Sequence, residues 1–167
     1  MKNEFLEALG SNNANNNTDL SLYSRFVGNW SFTMTTYDEE GKIEDTKEGE
    51  WLFSYVMDGY GIQDVFICPK RGEWTEEDTL YGDYGTTIRV PMIDNSKKWN
   101  IVYVSKWSVD RLIAEELEND IIQIVKKRIE GGANEKAVLR LFINCPFVCI
   151  NFDFFWLNKA RQLYMDF

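Results

Sequence analysis

A chain of 167 residues with 44% apolar and 15% aromatic side chains can bury a core of its own, which excludes a disordered polypeptide. Its formal charge of -9 argues against nucleic acid or an anionic membrane surface as partner, since both are held through clustered lysine and arginine. No apolar run reaches the roughly 18 to 20 residues of a membrane-spanning helix, and Glu4 and Glu7 stand where a signal peptide would carry its apolar segment.

The three cysteines, Cys68, Cys145 and Cys149, form an odd set. Cys145 and Cys149 would lie about 13 Å apart on one extended strand, too far to bridge. Reduced thiols and a cytoplasmic location are the expectation. The chain has no histidine, which removes Ser-His-Asp and Cys-His catalysis, histidine-ligated haem and most zinc sites. No haem and no other cofactor is expected.

In chain order, residues 3–9 predict two turns of helix ended by Gly10. The asparagine-rich stretch 11–18 reads as a mobile linker, so residues 1–19 form an N-terminal helix and linker and residues 20–167 the main domain. Asp19 or Ser21 is placed to cap a second short helix through Leu22, Tyr23 and Phe26.

From Asn29 onward the hydrophobic period is two. Trp30, Phe32, Met34 and Thr36 share one face of the first strand, and residues 38–42 read as a polar hairpin loop. The next strand puts Trp51, Phe53, Tyr55 and Met57 on one face and Glu50, Ser54 and Asp58 on the other. A turn at 58–61 leads into a strand at 62–68, which Pro69 ends. Residues 70–80 read as a long surface loop. Further strands are predicted at 85–90, 99–104, 111–117, 121–129, 137–143, 147–155 and 161–167, separated by short polar or glycine-rich turns. About ten strands joined by short turns, with no crossover helices, predict an all-β, antiparallel up-and-down β-barrel with short N-terminal helices. A β-sandwich is the rival, but it would show longer connections.

Gly28-Asn29-Trp30 opens the first strand as a Gly-x-Trp motif: glycine permits a tight entry, and the indole closes the barrel floor. The run LYSRFVGNW at 22–30 resembles a bacterial calycin family of unknown function, and so do GEWLF at 49–53, DGYGIQDVF at 58–66 and YGTTIRV at 84–90. These blocks keep that family's order over roughly residues 20–105, whereas the later half is less distinct. The resemblance implies a barrel like those of lipocalins and fatty-acid-binding proteins; it implies no activity, ligand or catalytic residue.

Asp64, Arg89 and Arg140 interrupt strands whose neighbours are apolar. They suggest an internal polar site in which arginine meets a ligand carboxylate. The simpler alternative is a solvent-facing charge, or a pairing of Asp64 with Arg89 across neighbouring strands; for Arg140 it also includes a stack of the guanidinium over Trp30. The aromatic residues Phe32, Trp51, Phe53, Tyr55, Phe66, Trp99 and Tyr103 are core, or cavity lining, or both. The acids Glu39, Glu40, Glu76, Glu77, Glu115 and Glu116 fall in turns or on solvated faces, which argues against a glycosidase-like carboxylate pair. Residues 147–156 are apolar on both alternations and predict a homodimer face.

Three functions remain open at this stage. The first is non-enzymatic binding of a small hydrophobic ligand, carboxylate-bearing or not, inside the barrel. The second is an interaction module with a filled barrel that acts through its loops or dimer face. An enzyme with its active site in the barrel mouth is the third and least supported.

Overall fold

The structure, a computed structural model, describes residues 3–37, 40–94, 96–117, 121–126, 135–141, 148–152 and 161–166. Its described elements are α1 (Glu4–Leu9), β1 (Gly10–Ser11), α2 (Ser21–Ser24), β2 (Gly28–Tyr37), β3 (Ile43–Val56), β4 (Gly61–Cys68), α3 (Glu76–Tyr81), β5 (Asp83–Pro91), β6 (Lys98–Ser105), β7 (Val109–Glu116), β8 (Ile121–Lys126), β9 (Glu135–Leu141), β10 (Val148–Phe152) and β11 (Arg161–Asp166). Strand dominates, the helices are short, and every strand pairing is antiparallel.

From β2 to β11 each strand pairs with the next in the chain. β11 in turn pairs with β2, Leu163 opposite Met34 and Met165 opposite Phe32. Short turns explain pairings such as β3–β4 and β6–β7, because a tight turn returns the chain beside the strand it has just left; β4 and β5 pair across a longer connection that carries α3.

Period two sets what each strand buries. Phe32 and Met34 of β2, Trp51 and Phe53 of β3, Ile62 and Asp64 of β4, Thr87 and Arg89 of β5, Trp99 and Ile101 of β6, Ala114 of β7 and Ile122 of β8 are all buried. The apolar members form one continuous cluster, which Leu20, Leu22, Tyr23 and Phe26 join from α2 and its flanks. α2 therefore packs its apolar side onto the sheet's inner face. The four-residue helix carries no side-chain cap at Leu20, but Asp19 Oδ1 accepts the Ser21 amide at 3.0 Å just before it.

Gly28 enters β2 at φ 146, a backbone conformation open to glycine and strained for other residues. Two residues on, the Trp30 indole donates to the carbonyl of Phe26 at 2.7 Å and so closes the bend between α2 and β2.

Three expectations differ from the structure. The segment 11–18, expected as a mobile linker, is tied down: Ser11 pairs with Tyr55, and the Asn15 amide donates to the carbonyl of Gly59 at 2.9 Å. Met57 does not continue the inward face of β3; the strand ends at Val56, and Met57 and Asp58 take positive φ in the turn that follows. The expected surface loop 70–80 contains α3, started by a capping box in which Thr75 and Asp78 satisfy each other's backbone amides. The sequence signal for α3 was present as Thr-x-x-Asp, hidden inside an acidic run.

Candidate functional site

The inner faces of β4 and β5 bring a carboxylate, a hydroxyl and a guanidinium together. Asp64 lies opposite Thr87, and Arg89 lies opposite Ile62, one step along the same inward row. One carboxylate oxygen of Asp64, Oδ2, accepts the Thr87 hydroxyl and also meets Nη1 of Arg89 in an ion pair. All three residues are buried, with Asp64 at 2% and Arg89 at 6% exposure. Arg89 is the one basic side chain among the buried described residues.

Aromatic rings enclose the pair. The guanidinium carbon of Arg89 stands 4.7 Å from the ring centre of Tyr23 and 5.2 Å from that of Phe53. Such contacts favour a cation by roughly 1–2 kcal/mol when it is withdrawn from water. Tyr23 in turn meets Trp99 edge-on at 4.8 Å, and Phe26 packs on Phe53 at 5.7 Å. Further along the same face, Phe32 stacks on Phe66 at 4.7 Å, and Trp51 touches both Phe53 and Phe66.

Two buried donors in this cluster, the Nε–H of Arg89 and the hydroxyl proton of Tyr23, have no acceptor of good geometry, although the Tyr23 oxygen is itself close enough to the Arg89 side chain to take a hydrogen bond from it. Burial pushes the Tyr23 phenol up to about 12; the charge of Arg89 opposes that rise and the charge of Asp64 adds to it. The phenol is therefore a neutral donor at any physiological pH.

Of the residues singled out from the sequence, Phe32, Trp51, Phe53, Asp64, Arg89 and Trp99 are buried on this face. Trp30, Tyr55 and Phe66 are partly buried against it. Tyr103 is half-buried, opposite Thr87 in the ladder, and its phenol is raised, mainly by burial. The backbone of Arg140 lies in β9 opposite Ile121 and Asn151, and its side chain is outside what is described. Cys145 and half of the expected dimer segment, Phe147 and residues 153–156, also lie outside the described residues.

Tyr23 and Thr87 were not picked out as site residues. Thr87 carried a usable signal, since it is two positions from Arg89 on one strand and so must share its face. Tyr23 carried none. Its place beside Arg89 depends on how α2 folds back over the sheet.

Of the acids discounted as a catalytic pair, Glu39 lies outside the described residues and the others lie at the surface. Glu116 pairs with Arg25 at 2.6 Å, Glu115 with Lys98 at 3.1 Å and Glu40 with Lys42 at 3.1 Å. Glu76 and Glu77 occupy the first turn of α3. Among the described residues no group of three His, Cys, Asp or Glu side chains is gathered to hold a metal ion, and no helix is long and apolar enough to cross a membrane.

No protein-family model matches the chain, and no match to it was found among curated proteins. The site must be judged on its own chemistry. It offers charge neutrality, two unused donors and aromatic walls, with no paired acids and no activated nucleophile among its members.

Proposed function

We propose that this chain is a calycin-like β-barrel of ten strands that binds a small, largely apolar molecule in its interior without chemically changing it. Support for the barrel is the run of pairings from β2 to β11 together with the pairing of β11 and β2, and the four sequence blocks that resemble the calycin family. The observation that carries the binding reading is the pair of buried donors, Arg89 Nε and the Tyr23 hydroxyl, among aromatic rings. A buried donor left without an acceptor costs roughly 1–3 kcal/mol, so donors of this kind call for a partner. An acceptor on a bound molecule is that partner.

The test is direct. Native mass spectrometry of the protein as purified should show the chain mass plus a small adduct. Nile red, an uncharged apolar dye, should bind saturably at one per chain and be displaced by the extracted adduct. Absence of both an adduct and saturable dye binding would defeat the reading. The same proposal places the protein in the cytoplasm with reduced thiols and without haem, so haemin should give no saturable shift of its Soret band.

A second reading, an interaction module, is favoured by one observation. The outer face of β5, β6 and β7 exposes Ile88, Val102, Val104 and Val109. Ile88 lies opposite Val102, and Val104 opposite Val109, so the four are neighbours. Contiguous apolar surface of this kind marks interfaces. In the homodimer proposal this face competes with residues 147–156. Sedimentation of Val102→Lys and of Phe155→Lys at micromolar concentration decides which face holds the dimer, and a monomeric wild type removes both.

A further inference from the structure

Resting on the binding reading above, we infer that the molecule held beside Arg89 and Tyr23 is uncharged and presents a carbonyl oxygen, as an apolar ester, ketone or amide does, and that Asp64 excludes carboxylic acids.

The argument starts from charge. Arg89 is the buried base of this region, and Asp64 already neutralises it through Nη1. Thr87 donates to the same carboxylate oxygen and fixes it in place. A carboxylate entering the site would set two negative groups against one guanidinium and leave a net charge in the interior, where an unpaired ion is strongly disfavoured. Arg25 is a further cation whose charge acts on Tyr23, but its guanidinium is committed to Glu116 and to the carbonyl of Leu22.

The unused capacity is directional instead. Arg89 Nε and the Tyr23 hydroxyl are both donors without an acceptor, and the guanidinium lies against the Tyr23 ring. A carbonyl oxygen has two lone pairs and no proton of its own, so it can accept from both and needs nothing in return. An alcohol would bring a further donor that needs an acceptor of its own, whereas a carbonyl oxygen brings acceptor capacity alone. Phe53, Trp99 and Phe26 around the cluster suit an apolar body.

Competition against Nile red at neutral pH tests this on the wild-type protein, with methyl decanoate, decanoic acid and decane as probes. The ester should displace the dye at least about tenfold more tightly than the acid, and also more tightly than the hydrocarbon, which lacks an acceptor. Tyr23→Phe should weaken the ester about tenfold and leave decane unchanged. Asp64→Asn should raise the affinity for decanoic acid, because Arg89 then lacks its counter-ion. If the dye binds and the acid equals or exceeds the ester, the ligand-class inference is overturned and the binding reading stands. If neither the dye nor any probe binds, both fall together.

Discussion

Asp64 and Arg89 sit on neighbouring strands one inward step apart, and their side chains meet on the buried face of β4 and β5. Neither can be removed alone without stranding the other in the interior. Asp64→Asn and Arg89→Met should each destabilise the fold by about 3–5 kcal/mol, the usual cost of leaving one member of a buried pair. Asp64→Leu combined with Arg89→Met removes both charges and should recover most of that loss. Urea unfolding of the single and double variants measures the coupling. Additive losses would show that the two side chains do not depend on each other.

Gly49 and Phe32 form a second cross-strand dependence. They are directly opposite in the β2–β3 ladder, and a Cβ on Gly49 would run into the Phe32 ring. The glycine thus makes room for the ring to lie across the neighbouring backbone and stack on Phe66. Gly49→Ala should cost about 1–3 kcal/mol as the ring is forced from its place. Adding Phe32→Leu should relieve part of this, and thermal melts of the three variants provide the check.

Asp78 anchors α3 to β3. Its carboxylate accepts from Lys47 at 2.7 Å and from the Thr75 amide and hydroxyl, which hold its pKa down to about 2, Lys47 foremost. A carboxyl group held below its ordinary value of 3.8 stabilises the fold above that pH. The contribution is lost as pH falls from about 4 toward 2. The urea midpoint of the wild type should therefore drop through this window, and Asp78→Asn should make the drop shallower. Thr75→Ala, which removes the cap, should cost about 1 kcal/mol at neutral pH.

What the sequence made legible is what a strand's geometry dictates. Alternation puts Phe32 on the face of Trp30 and Met34, Trp51 with Phe53 and Tyr55, and Asp64 with Ile62 and Phe66, because successive side chains must point to opposite faces; it leaves open whether Asp64 and Arg89 face inward. The pairing of Asp64 with Arg89 was open to anticipation, because strands consecutive in the chain are usually neighbours, and β4 and β5 are so even across the longer connection that carries α3. The reach of Tyr23 was not. A helix of four residues has no period to analyse, and its contact with Arg89 joins positions far apart in the chain. α3 was missed for a different reason: its acidic first turn, Glu76 to Asp78, looks the same in sequence as a solvated loop. Met57 was misplaced because period two continues on paper past the point where positive φ turns the chain.

The Tyr23 hydroxyl ties the stability of the fold to its proposed function, and one substitution separates the two. Its phenol ionises in the unfolded chain near 10 but, in the folded protein, only at about 12. The folded state therefore keeps a proton that the unfolded state loses across this range. Stability should be fully present below about pH 10 and decline toward pH 12, by roughly 2–3 kcal/mol from this group. Tyr23→Phe keeps the ring against Arg89 and Trp99 and removes the titration. It also removes a buried hydroxyl without an acceptor, so the variant should be as stable as the wild type at pH 7, or more so. In the alkaline range its stability should fall less steeply. Urea midpoints from pH 8 to 12 follow the difference, and absorbance near 295 nm should count one late-ionising tyrosine fewer in the variant. If Tyr23→Phe were clearly less stable at neutral pH, the hydroxyl would have a protein partner after all, and it would not be a donor kept for a ligand.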